Sequence, residues 1–381
     1  MKKFVLIIAL HLVTINSFGQ NTNNRVTIIQ NTNIFTGEEY LEHTNLVFND
    51  SIIIEITKDI TKYKTPELID GSNKTIIPPL VNAHVHIWNP SAMKQSLKEG
   101  IFVNLDMHNT DERANYLRSF NDSLNYSTFY SSNAAATVKG GHGTQFGIQV
   151  PIIDSTNTPE KFVQDRIAAN ADYIKIIKES TMNTLNNEQT LEVIETAHQN
   201  NLMAVGHSHK MNDSKVLAEQ GIDGMMHIWF DKPAEQNTLI EMKEQGIFIV
   251  PTLLVTQKVL EMGLEQGWAQ YVLSFDQVLE EINKAYQAGI PILCGTDPPN
   301  LNVNFTDNLF DEMVLLSQAG LPNIEILKSA STNTYKAFNL EYTVLKKGAL
   351  ANFVLVNGNP IDNISELKLE KLVFKKGKII E

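Results

Sequence analysis

Between residues 75 and 338 the chain repeats one alternation: a short apolar run, then a stretch with the spacing of an amphipathic helix. The apolar runs fall at 76–87, 101–107, 128–138, 173–177, 202–207, 225–228, 247–253 and 290–295. Helical patterns fall between them, at 159–170, 188–200, 215–220, 233–245 and 275–288. Strands alternating with helices pair in parallel, because a helix-length crossover returns the chain to the same end of a sheet. Eight such units predict an α/β fold, a closed (β/α)8 barrel of the TIM type. The competing arrangement is an open doubly wound sheet, which calls for a glycine-rich phosphate turn. Gly140-Gly141-His142-Gly143 is the one candidate for that turn, and its spacing does not fit.

The flanks read differently. Residues 25–71 alternate apolar and polar side chains, with turn signals at Thr36-Gly37 and Asn49-Asp50, and residues 345–380 repeat the same strand-and-turn text. Similar β-rich ends predict a small β-sandwich domain built from both termini. The expected boundaries are 20–74 and 341–381 for the sandwich and 75–340 for the barrel. Residues 1–19 read as a cleavable export signal: Lys2 and Lys3, an apolar stretch over 4–15, then Ser17-Phe18-Gly19 before Gln20. That apolar stretch is too short to span a bilayer comfortably, so no stable membrane insertion is expected and the mature chain is expected to be periplasmic or secreted. Cys294 is the single cysteine and has no internal disulfide partner. A net charge of −12 argues against a nucleic-acid partner, which would call for a basic patch. A small-molecule substrate is the expected partner; the oligomeric state is open.

Residues that carry chemistry collect at the ends of the apolar runs. His84 and His86 are two apart, so on a strand they share one face and can grip one metal ion. His207 and His209 follow the fifth run, His227 the sixth, and Asp297 the eighth, in Gly295-Thr296-Asp297. Parallel barrels place their active sites at these C-terminal strand ends. His207, which ends its run directly, is the expected ligand; His209 is the expected outer contact to ligand or substrate. Asp297 can touch a metal and accept a proton from a water on it, or cap a following helix. Lys175 lies inside the fourth run. Buried there, it either pairs with a carboxylate or, as a neutral amine, adds CO2 to become a metal-bridging carbamate. Asp106 and His108 are expected behind the site. Glu99, Glu179, His43 and His198 read as solvated surface. The segments 139–147, 229–233, 254–268 and 298–305 are expected to be loops that shape the pocket.

Taken together these motifs resemble the amidohydrolase superfamily, in its imidazolonepropionase-like and Xaa-Pro dipeptidase-like branch. Pro78-Pro-Leu-Val-Asn-Ala-His84-Val-His86 is similar to the family's P-G-L-I/V-D-A-H-x-H. Asp172-Tyr-Ile-Lys175-Ile resembles its carbamylated-lysine strand, and Gly206-His207-Ser-His209, Asp223-Gly-Met-Met-His227 and Gly295-Thr-Asp297 resemble its later ligand motifs. The resemblance covers essentially the whole mature chain. It implies two divalent metal ions, zinc foremost. His84, His86 and Asp297 would hold one, His207 and His227 the other, with Lys175 bridging them after carbamylation by CO2. It also implies a substrate-contacting His142, and Asp297 as the proton carrier in cleavage of an amide-type C–N bond of a dipeptide or N-acyl amino acid.

The chain departs from the pattern at Pro79, Asn82, Asn352 and Phe230. Phe230 stands where dipeptidase-like members carry a tyrosine whose hydroxyl can polarise the scissile carbonyl. Three alternatives stay open: a ring-opening hydrolase of cyclic imides or lactones, a deaminase, and a non-catalytic metal-binding protein. Deaminases of the superfamily place a glutamate three residues after the fifth-strand histidine, where this chain has Lys210.

Overall fold

The computed structural model describes residues 26–341 and 344–381. The expected export signal lies outside them. Among the described residues no helix is long and apolar enough to cross a membrane.

The central region is mixed α/β. Leu80–Val85, Ile101–Asp106 and Thr128–Ser131 form one parallel three-stranded arc. Ile174–Ile177, Ala204–His207, Gly224–Met226 and Phe248–Val250 form a second, four-stranded arc, also parallel. The expected uninterrupted ladder of eight strands is therefore corrected to two arcs. Between the third and fourth strands a single bridge joins Ala136 to Ile176. The eighth run forms no strand. Pro291 has no N–H to give a ladder, and the segment makes one bridge, Ile292 to Ile249. It meets the first strand through Ala83 N–H to Cys294 O at 2.9 Å and Asp297 N–H to His84 O at 2.8 Å. Gly295 is needed at this junction: a Cβ there would lie 2.7 Å from the His84 nitrogen and 2.6 Å from Val250 Cγ1.

Several connecting helices start where a side chain satisfies a free N–H group. Asn186 with Gln189, and Ser274 with Gln277, form reciprocal capping boxes at Asn187–Gln199 and Phe275–Gln287. One helix was not expected. Leu253–Gln266 occupies the segment 254–268 that the sequence reads as a loop. Its residues run Leu-Leu-Val-Thr-Gln-Lys-Val-Leu-Glu-Met, apolar on more than one face, so no single amphipathic stripe announces it.

Strands from both ends of the chain share one eight-stranded mixed sheet, and it folds over on itself: Phe48 and Phe374, four strands apart in its order, bring their rings to 5.6 Å. Thr27–Phe35 pairs in parallel with Glu67–Asp70 at its start and with Lys74–Ile77 near its end, so one strand edge serves two neighbours. Phe353–Asn357 then pairs antiparallel to Lys74–Ile77. Alternation sorts this strand between two cores. Phe353 and Leu355 enter the sheet's own core with Phe48 and Phe374, while Val354 and Val356 join the large core of the α/β region. That double burial explains why Phe353 to Val356 read as a continuous apolar run.

Candidate metal centre

The expected residues converge on one cavity of about 460 Å³ at the C-terminal ends of the parallel strands. His84 sits on the first strand, which is buried throughout, and His86 lies just past its end. Lys175 is on the fourth strand and His207 ends the fifth. His209, His227 and Asp297 lie just beyond strand-like segments, and His227 and Asp297 adopt positive φ of 108° and 61°. All seven line the cavity, as do His108 and His142.

Two trios stand out. The ligand atoms of His84, His86 and Asp297 lie within 4.8 Å of one another, as do those of His207, His209 and His227. Asp297 Oδ1 is 3.0 Å from His86 Nε2 and 3.4 Å from His84 Nε2. It also accepts from Asn300 Nδ2 at 2.8 Å. No helix begins at Asp297, so the capping alternative falls away. His209, expected outside the ligands, is in the second trio on equal terms with His207.

The surroundings orient these groups. Asn82 links the first strand to the Gly295-Thr296-Asp297 turn: its Nδ2 donates to Thr296 Oγ1 at 2.7 Å, and its Oδ1 accepts from Thr296 N–H at 3.1 Å. Asp106 accepts from Ile87 N–H at 2.7 Å and so holds the backbone after His86. Thr252 Oγ1 donates to Pro251 O at 2.8 Å. It can therefore only accept from His227 Nδ1 at 2.7 Å, which leaves Nε2 of His227 with its lone pair free. Gly143 N–H donates to Gln145 Oε1 at 2.7 Å, so Gln145 Nε2 donates to His142 Nδ1 at 3.2 Å. His142 then carries its proton on Nε2. His108 is fixed the same way, since its Nδ1 accepts from Ala135 N–H at 2.9 Å.

Glu179 is a correction. The sequence reads it as surface, yet it is buried and its Oε2 lies 3.2 Å from His209 Nδ1. His207 Nε2 is 3.7 Å from the same oxygen, beyond hydrogen-bond reach. Neither Glu179 nor Thr252 carries a motif that could have marked it. Phe230 packs its ring 5.3 Å from that of His209, so no phenol stands there.

Burial sets the protonation. It holds His84, His207 and His227 well below the ordinary imidazole value, helped by neighbouring Lys175 at His84, by His142 at His207 and by His207 at His227. Burial also takes His142 down to about 4, His108 to about 3 and Lys175 to about 7. Burial pulls His86 down too, but its hydrogen bond to Asp297 and that carboxylate's charge outweigh it and leave His86 raised. Burial pushes Glu179 up, and His207 and His209 more than reverse it.

This donor set fits a divalent metal. Neutral imidazoles, a carboxylate and a lysine able to lose its proton are the forms that ligate. His207 Nε2 and His84 Nδ1 are buried without a hydrogen-bond partner, a cost that ligation at His207 Nε2 would relieve.

Known proteins agree on the class. The amidohydrolase family profile matches residues 75–380. A 5'-deoxyadenosine deaminase of Methanothermobacter thermautotrophicus is 21% identical over 379 residues, covering 85% of this chain and 84% of that protein. A 5-methylthioadenosine/S-adenosylhomocysteine deaminase of Dictyoglomus turgidum is 35% identical over only 60 residues, 16% of this chain and 14% of that one. Among solved structures, a Xaa-Pro dipeptidase with bound methionine superposes with a TM-score of 0.78 at 21% identity, covering 93% of this chain and 100% of that chain. The parallel strands, the histidine-lined cavity at their ends and the family match over residues 75–380 lead to one conclusion: this chain belongs to the amidohydrolase family.

Proposed function

We propose that the protein is a metal-dependent hydrolase of an amide-type C–N bond. The convergence of the His84/His86/Asp297 and His207/His209/His227 trios on one cavity carries this reading. His84, His86 and Asp297 would hold one divalent ion and His207 with His227 a second, with His209 on the border of that site. Zinc suits these nitrogen and oxygen donors. Such ions, when bound, polarise a carbonyl and make water nucleophilic at neutral pH. The neutral amine of Lys175 would add CO2 and release a proton, giving a carbamate, an anion able to ligate metal. The scaffold is proposed as a (β/α)8 barrel joined across its two arcs.

In the reaction, water gives its oxygen to the acyl carbon as the C–N bond breaks, and a proton goes to the departing nitrogen. Asp297 carries that proton, since its carboxylate is buried and aimed into the cavity. His142, with its proton fixed on Nε2, donates to the substrate. Amide cleavage is favoured over deamination because Lys210 precedes the helix Met211–Glu219 and does not line the cavity. The export reading of residues 1–19 places the mature enzyme in the periplasm or outside the cell, which cell fractionation tests.

Metal analysis of purified protein together with turnover of an amide panel and an adenosine-type amine tests the function. Bound metal with amide hydrolysis supports it. Deamination of the amine without amide cleavage overturns it. Incorporation of 13C-bicarbonate, followed by carbon NMR in the wild type and Lys175→Ala, tests the carbamate.

A further inference from the structure

We infer that the cavity selects a neutral amide with apolar groups on both sides of the scissile bond and discriminates against amides that carry a free carboxylate. This rests on the amide-hydrolysis reading and narrows it, away from the dipeptides and N-acyl amino acids that the family resemblance suggests.

The mouth of the cavity carries the inference. Trp88, Phe146, Met262 and Leu301 line it while keeping 46%, 39%, 36% and 36% of their surface exposed. Large apolar side chains scattered singly over a surface need no explanation, but four around one opening mark a binding site. Val255 and Val259 extend the wall inward. With Met262 they recur at i, i+4 and i+7 of the helix Leu253–Gln266, so one helical face is turned to the cavity.

Charge points the same way. Among the described residues that line the cavity none is an arginine, and Lys175 is the one lysine. Lys175 is buried at the floor among the ligand histidines and is committed there. Arg113 sets its guanidinium over the Trp88 ring, 5.7 Å from the centroid, and does not line the cavity. Of the uncharged polar side chains near the mouth, Gln145 is engaged with Gly143 and His142, and Asn300 with Asp297, while His142 offers a single uncharged N–H at Nε2. A carboxylate drawn into this mouth would lose water and find no opposite charge, which is costly. Aryl or alkyl groups there gain by leaving water. A cavity of about 460 Å³ has room for a substrate of that kind.

The test uses a matched pair, N-(2-phenylethyl)phenylacetamide and N-phenylacetyl-L-phenylalanine, which differ only in the carboxylate. With metal-loaded wild-type protein, kcat/KM for the neutral amide is expected to exceed that for the acid by about tenfold or more. Equal or reversed values overturn the inference and leave amide hydrolysis standing. If neither compound is cleaved, the amide panel above decides the hydrolysis reading, and calorimetric affinities of the same pair decide the inference by the same ratio. Val259→Lys puts an ammonium on the wall and is expected to lower the ratio by about tenfold. An unchanged ratio in that variant, with wild-type preference intact, removes the selectivity from this wall.

Discussion

At the floor of the cavity His84, His207 and His227 have almost no exposed surface, and each comes from the end of a buried parallel strand or the residue just after one. At the mouth Trp88 comes from a loop, Phe146 and Leu301 from short 3-10 turns and Met262 from one α-helix, and all four stay substantially exposed. The floor is polar and held by hydrogen bonds to its neighbours: Asn82 to Thr296, Thr252 to His227, Asp106 to Ile87. The mouth is apolar. Groups that do chemistry must keep fixed geometry and protonation, so they sit on rigid elements. Groups that select a substrate need only shape and polarity, so they can sit on segments that vary.

That division of labour can be broken at either end. The largest effect is expected from Asp297→Asn. It keeps the shape but cannot carry the proton, so kcat for an amide should fall by about 10³-fold. Binding of the neutral amide by calorimetry should stay near wild type. A large loss of binding as well would show that floor and mouth are not separable.

Next is Thr252→Ala, which removes the hydroxyl that fixes the His227 ring. Affinity for one metal should drop about 10–100-fold, read by competitive metal titration. Thr252→Ser keeps the hydroxyl and should restore it. Equal loss in both variants would assign the effect to the left-handed backbone at Thr252 instead.

The smallest effect concerns how the mouth is anchored. Buried Glu312 accepts the N–H groups of Leu253 and Leu254 at 2.7 and 2.8 Å, at the start of the helix that forms the apolar wall. Burial pushes its carboxyl from 4.5 up to about 8, against the pull of those two donors. The folded state therefore holds this proton more tightly than the unfolded chain. Its contribution is fully present below pH 4.5 and is lost as pH rises through about 8. Urea unfolding at several pH values should show that decline in the wild type. Glu312→Gln, which has no proton to lose, should remove this part of the slope, and an unchanged slope would exclude Glu312 as its source.

Much of the floor was legible in the chain before folding. His84-Val85-His86 reads as a ligand pair because strand periodicity puts alternate residues on one face. Gly295-Thr296-Asp297 reads as a unit because it closes the eighth apolar run and resembles a family motif; why glycine is needed there, the approach of the first strand's backbone, only the structure shows. The mouth was not legible. Leu253–Gln266 hides because its outer face is apolar where it lines the cavity and its inner face is apolar where it meets the core. Glu179 looks like any surface acid, since nothing local says that His209 will fold over it.

The sequence by itself determined the alternation of strands and helices, the residues at the strand ends and the family they announce, because these follow from period, spacing and local chemistry. Only the tertiary structure decided which strands share a ladder, that His209 joins His207 and His227, and that Trp88, Phe146, Met262 and Leu301 meet around one opening. Those facts depend on contacts between residues far apart in the chain, and backbone periodicity carries no information about such contacts.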